Sequence, residues 1–186
     1  INGDTGDIYI NPSVEEMEKY KEQQNADKEE KRKLEEYKNK LAKTKDEYQV
    51  EISCNIGKPA DLEEVLNAGA DGIGLFRTEF LFMDAKQMPS EEEQFESYKQ
   101  IADAMQDKLS IIRTLDAGGD KDIPYLNLEK EENPFLGHRA IRLCLDNIEM
   151  FKTQLRAILR ASNYGNLAIM FPMISTIEEL RKSKAI

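Results

Sequence analysis

From residue 49 onward, four short apolar runs alternate with stretches of helical periodicity, and this alternation limits the chain to few architectures. Val50-Glu51-Ile52-Ser53-Cys54-Asn55-Ile56, Gly72-Ile73-Gly74-Leu75-Phe76-Arg77, Ser110-Ile111-Ile112-Arg113 and Leu167-Ala168-Ile169-Met170-Phe171 read as strands. Between them, Asp61 caps a helix from about Leu62 to Asn67, and Ser90 opens a second through Met105. A third helix is predicted over roughly 139–162, and Thr176 with Glu179 begins a fourth. Parallel strands need a crossover that a helix supplies, so strand and helix in strict alternation mean a parallel sheet covered by helices. The predicted class is α/β, with four units forming the first half of a (β/α)8 barrel of the TIM type, or else a small doubly wound sheet. No glycine fingerprint for a dinucleotide and no Walker loop follows the first strand, which favours the half barrel over residues 49–186.

The first 48 residues have another character. Ser13 with Glu16 is a capping box behind Pro12, and no Gly or Pro interrupts the chain from there to about Lys45. Between Glu15 and Tyr48 stand 11 acidic and 10 basic residues, with apolar residues sparse, so this is a solvated surface. Residues 13–48 are expected to form a long charged linker helix of about 30 residues, spanning ~45 Å. The alternative is a helical hairpin that breaks near Gln24-Asn25-Ala26-Asp27. Ahead of it, residues 1–10 read as a Gly/Asp turn feeding a short alternating strand. One strand cannot bury itself, so residues 1–12 are expected to be the end of a preceding domain.

Composition excludes several function classes. A net charge of −10 argues against nucleic acid, which is gripped by clustered Lys and Arg. No run of 18 apolar residues offers a membrane span, and the start lacks the pattern of a signal peptide. Cys54 and Cys144 sit in apolar runs with no Cys or His at metal-ligand spacing, the usage of reduced, buried thiols in a cytoplasmic protein. An anionic ligand would therefore be held in a small site by a few local arginines.

In parallel α/β folds ligands bind where strands end, which directs attention to Asn55, Arg77, Arg113 and Pro172-Met173. Two of these ends carry Arg. A buried guanidinium without a counter-charge costs several kcal/mol, so each needs an anion. Two arginines on neighbouring strands would converge on one phosphate or carboxylate; the alternative is structural pairing with Glu79 and Asp116, two and three residues on.

Around these arginines the sequence carries longer motifs. Gly72-Ile73-Gly74-Leu75-Phe76-Arg77-Thr78-Glu79-Phe80-Leu81 resembles a signature shared by enzyme I of the bacterial phosphoenolpyruvate:sugar phosphotransferase system, pyruvate phosphate dikinase and phosphoenolpyruvate synthase. Arg113-Thr114-Leu115-Asp116-Ala117-Gly118-Gly119-Asp120-Lys121 and Glu131-Glu132-Asn133-Pro134-Phe135-Leu136-Gly137-His138-Arg139-Ala140-Ile141-Arg142 narrow the resemblance to the enzyme I family. It implies a parent enzyme that moves the phosphoryl group of phosphoenolpyruvate to a histidine on a swivelling domain, and on to a phosphocarrier protein for sugar uptake. Residues 1–12 would be the C-terminal end of that phosphohistidine domain.

The same resemblance implies that Arg77 and Arg113 grip the phosphate and that Arg139 neutralises the moving phosphoryl group. It also implies magnesium, with its ligands beyond Ile186, and no catalytic residue within the chain, which alone would be inactive. Lys121 is either a further cation or a solvated loop residue. His138 is read as a packing or hydrogen-bonding imidazole rather than the phosphoacceptor. Open sheet edges recruit other chains, so a homodimer is expected. The competing readings are a fragment of pyruvate phosphate dikinase or phosphoenolpyruvate synthase, and a non-catalytic interaction module docking through its charged helix.

Overall fold

The computed structural model describes residues 1–3, 5–118, 123–126, 132–133 and 137–186, which divide into two compact units, 1–41 and 42–186. In the first unit the chain turns at Gly6, in the left-handed region, where Gly6 N–H bonds the Asn2 carbonyl at 3.0 Å. Ile8-Tyr9-Ile10 has no strand partner among the described residues and forms no strand, contrary to the alternation in its sequence; the Tyr9 ring packs 5.0 Å from that of Tyr20.

Helix α1 runs over Val14–Glu35 and opens on the expected capping box, Ser13 Oγ accepting from Glu16 N–H and Glu16 accepting from Ser13 N–H. Its 22 residues span ~33 Å and bury no side chain. The helix ends at Glu35, thirteen residues short of the expected end at 48. Its last turn tightens into bonds three residues back, from Glu36, Tyr37 and Lys38 to Lys33, Leu34 and Glu35. In the second unit Thr44 diverts the backbone further, its hydroxyl accepting Tyr48 N–H at 3.1 Å, beside an antiparallel bridge from Lys43 to Gln49.

The second unit is a four-stranded, all-parallel sheet in the order β1 (Ser53–Ile56), β2 (Gly72–Arg77), β3 (Ser110–Arg113) and β4 (Leu167–Met170). β1 starts three residues later than predicted, because Asp71 takes both backbone groups of Ile52: its carboxylate accepts Ile52 N–H at 2.8 Å and its own N–H reaches the Ile52 carbonyl at 2.9 Å. The helices are α2 (Leu62–Ala68), α3 (Glu79–Met83), α4 (Glu91–Met105), α5 (Ile141–Asp146), α6 (Ile148–Ala161) and α7 (Ile177–Ala185). α4 and α7 open on the capping boxes of Ser90 with Glu93 and Thr176 with Glu179. The single helix predicted over 139–162 is two, divided at Asn147, whose φ of −115° and ψ of 63° lie outside the helical region.

Strict alternation would put Ile73 and Phe76, three residues apart, on opposite faces, but an irregularity of β2 between them brings both to the face shared by Ile56 and Ile112. There they pack with Phe95, Tyr98, Ile101 and Met105 of α4 and Ala157, Ile158 and Ala161 of α6. A second cluster joins Phe82, Leu115, Ile123, Ile141, Cys144 and Phe151 beyond the strand ends. The opposite sheet face carries Leu75, Ile111 and Ala168, each only half-buried, and Met170, exposed. Cys144 is buried and its thiol pushed up to about 12 by desolvation, with the Asp116 carboxylate adding to the effect. Cys54 is half-buried, and both cysteines are free thiols. Among the described residues no helix is long and apolar enough to cross a membrane.

Candidate functional site

Arg77 and Arg113 are register partners across β2 and β3, at the C-terminal end of the sheet. Neighbouring strands lie ~4.8 Å apart, and each arginine alternates with a covered residue, Phe76 and Ile112, so both start from the uncovered face. Their surroundings differ. Arg77 is exposed and its guanidinium carbon lies 5.2 Å from the centre of the Phe80 ring. That ring is seated against Gly57, just past β1, where a Cβ would come within 2.6 Å of it. The Arg113 side chain is 16% exposed and held by carboxylates on two sides.

Structural pairing with Glu79 and Asp116 is half right. Arg77 pairs with neither. Arg113 pairs with both: Nη2 bonds Glu79 Oε1, and Nη1 lies 3.4 Å from Asp116 Oδ2. α3 begins at Glu79, so the chain swings sideways past Thr78 and delivers this carboxylate to the adjacent strand's arginine. Asp116 is shared, because Arg139, 5% exposed, donates from Nη2 to Asp116 Oδ1 at 2.8 Å. The structure thus gathers Arg113 and Arg139 around one buried carboxylate, with Arg77 beside them on the neighbouring strand end.

Local backbone explains how Arg139 reaches this place. Gly118 has a φ of +113°, and a Cβ there would meet the Arg139 Cβ at 2.6 Å, so this glycine lets the two segments close on each other. Ala140 N–H bonds the Ala117 carbonyl at 3.1 Å and completes the contact. Arg142 braces the same loop, donating to the Gly137 carbonyl at 2.8 Å and Ser175 Oγ at 3.1 Å. His138 is exposed and hydrogen-bonds Asp146 at 2.8 Å, a partner consistent with a hydrogen-bonding imidazole. Lys121 and the end of its motif, together with 131 and 134–136 of the next, lie outside the described residues.

Sequence reasoning passes over a buried polar layer beneath the arginines. Thr78 Oγ1 donates to the Arg113 carbonyl at 2.9 Å, and Gln154 of α6 contacts both Thr78 and the backbone of Leu115. The available signal is one polar residue on the buried face of α6, between Phe151, Leu155 and Ile158.

Chemically, the cluster offers guanidinium groups suited to a phosphate or carboxylate, set in position before a ligand arrives. The buried Arg113 Nε–H has no hydrogen-bond acceptor among the described residues. Arg77 is turned to solvent.

Residues 30–186 match the family model described as PEP-utilising enzyme, PEP-binding domain. The phosphoenolpyruvate-protein phosphotransferase of Staphylococcus carnosus is 53% identical over 186 residues, all of this chain and 32% of the relative. Its counterparts in Bacillus subtilis and Priestia megaterium are 51% and 50% identical over the same 186 residues, which cover 33% and 32% of their lengths. The chain therefore spans about a third of the curated relatives it matches. With the model covering most of its residues, this chain belongs to the family of PEP-utilising enzymes through their PEP-binding domain.

Proposed function

We propose that the C-terminal end of the sheet binds phosphoenolpyruvate, and that the protein containing this chain is a phosphoenolpyruvate-protein phosphotransferase. Such an enzyme passes the phosphoryl group to a histidine and then to a phosphocarrier protein. The observation that carries the reading is the register pairing of Arg77 with Arg113 beside a carboxylate that also fixes Arg139. Phosphoryl transfer proceeds through a loose transition state with charge on the transferred group's oxygens, so positioned cations do most of the protein's work. Arg77 and Arg113 hold the phosphate; Arg139 neutralises charge as the group moves.

Magnesium, which the enzyme I resemblance implies, does not fit the carboxylates in place. Glu79 and Asp116 are engaged by guanidinium groups, and among the described residues no group of three or more His, Cys, Asp or Glu is placed to hold a metal ion. The steps assigned to this chain are those of its arginines alone. The half-buried apolar face of Leu75, Ile111 and Ala168 supports reading the sheet as half of a (β/α)8 barrel, this face being the barrel's interior. Residues 13–48 are the linker in this scheme, and a homodimer is its assembly.

Two measurements test the proposal. Titrating the chain with phosphoenolpyruvate should shift backbone amide NMR signals at residues 77–79, 113–117 and 139. The expected affinity is millimolar, about −4 kcal/mol. Shifts confined to α1 would overturn the site. In the full-length protein, Arg113→Lys should lower kcat/KM far more than Tm, because Lys keeps the charge and loses the paired donors.

A further inference from the structure

Beneath the two strand ends runs a chain of buried side chains to which the proposed function gives no role. Gln154 of α6 is 1% exposed, and its carboxamide makes three hydrogen bonds. Oε1 accepts Leu115 N–H at 2.9 Å; Nε2 donates to Thr78 Oγ1 at 3.3 Å and to the Tyr98 hydroxyl at 3.2 Å. Thr78 donates onward to the Arg113 carbonyl at 2.9 Å. Tyr98 donates to Gln94 Oε1 at 3.1 Å, and Gln94 Nε2 to the Pro89 carbonyl at 2.9 Å.

The direction of every bond is forced by its ends. Leu115 N–H can only donate, so the carboxamide oxygen must face it, and the amide nitrogen must then face the two hydroxyls. Each hydroxyl spends its proton on a carbonyl-type oxygen further out and accepts from Gln154. Both Gln154 N–H groups and its oxygen are therefore used, in one orientation only.

Backbone capping alone would explain only part of this. Leu115 lies past the last rung of the sheet ladder, Thr114 N–H to the Met170 carbonyl at 3.0 Å, so a buried donor there needs an acceptor. That need uses the oxygen. The nitrogen reaches instead to Thr78, between Arg77 and Glu79, while the oxygen holds the residue between Arg113 and Asp116. One side chain thereby spans both arginine-bearing strand ends.

We infer that Gln154 is a positioning residue for the anion site, setting the separation of Arg77 from Arg113 through Thr78 and Leu115. This rests on reading those strand ends as the phosphoenolpyruvate site. The test uses the full-length protein and three variants: Gln154→Met, which keeps length and removes every polar atom; Thr78→Val, which keeps shape and leaves the Leu115 bond intact; and Ile158→Ala. Ile158 is buried one turn further along α6 and outside the polar chain, so its variant controls for lost stability.

The KM for phosphoenolpyruvate should rise about tenfold in Gln154→Met and in Thr78→Val, the equivalent of one buried hydrogen bond. Ile158→Ala should lower Tm as much, reduce apparent kcat through its unfolded fraction, and leave KM unchanged. An active parent with KM within twofold in both polar variants, or an equal rise in Ile158→Ala, would overturn the inference alone. A parent that does not consume phosphoenolpyruvate would instead overturn the proposed function, and this role with it. Should Gln154→Met fail to fold, the isosteric Thr78→Val carries the same test.

Discussion

Asp116 is the single side chain whose loss should disturb the anion site most, and the size of the effect follows from its contacts. Its two oxygens serve two guanidinium groups, Arg139 at 2.8 Å and Arg113 at 3.4 Å. With Glu79 these four side chains carry two positive and two negative charges, three of them buried. Asp116→Asn keeps the shape and removes one negative charge. It also turns a donor, the amide NH2, toward one of the arginines. Breaking a buried ion pair from one side typically costs ~3–5 kcal/mol, because the remaining charge stays desolvated. Arg113 is 16% exposed and partly screened by water, which points to the lower end. At ~2–4 °C per kcal/mol for a domain of this size, a loss of ~3 kcal/mol lowers Tm by roughly 6–12 °C. Thermal unfolding of the chain by circular dichroism reads this directly. The loss should shrink when phosphoenolpyruvate is added, since a bound anion supplies the missing charge and stabilises by mass action. Unfolding within about 2 °C of the parent, far below the pair-breaking estimate, would show that Asp116 does not hold the two arginines.

Two further outcomes are expected. Gly118→Ala should cost roughly 2 kcal/mol or more, since the new Cβ meets the Arg139 Cβ at 2.6 Å on backbone with φ of +113°; urea unfolding should show a lower midpoint at unchanged m. Glu179 is held down to about 2, first by Ser175 N–H and then by Thr176 N–H, the Ser175 hydroxyl and Arg142, against an ordinary value of 4.5. The unfolded chain therefore binds the proton first, so this stabilisation is complete above about pH 4.5 and is lost as pH falls toward 2. Glu179→Gln should flatten that part of the stability profile measured by urea unfolding at successive pH values.

The parts of this fold that are legible in the sequence are those decided by neighbours in the chain. The capping boxes at Ser13, Ser90 and Thr176 stand where the residues three apart place them, and β2 and β3 keep their predicted bounds, because these signals are local. The strand-end arginines are legible for a related reason: a guanidinium closing an apolar run must find a counter-charge. Which counter-charge it finds is a tertiary matter. Glu79 stands two residues from Arg77 yet serves Arg113, 34 residues away, because α3 starts at Glu79 and turns it across to the next strand. A helix of five residues leaves no periodicity to announce that turn. The division of α5 from α6 at Asn147 is equally silent, since Asn is tolerated in a helix at a small cost and only its final φ and ψ reveal the break. Gln154 marks the limit most clearly. Its partners lie 39, 56 and 76 residues away in sequence, and each is an ordinary side chain or a backbone N–H. Sequence offers only the anomaly of a polar residue in an apolar stripe. Burying an amide there is tolerable only if all its hydrogen-bonding capacity is met, so the anomaly itself requires a network. The fold then decides that this network joins the two strand ends on which the anion site depends.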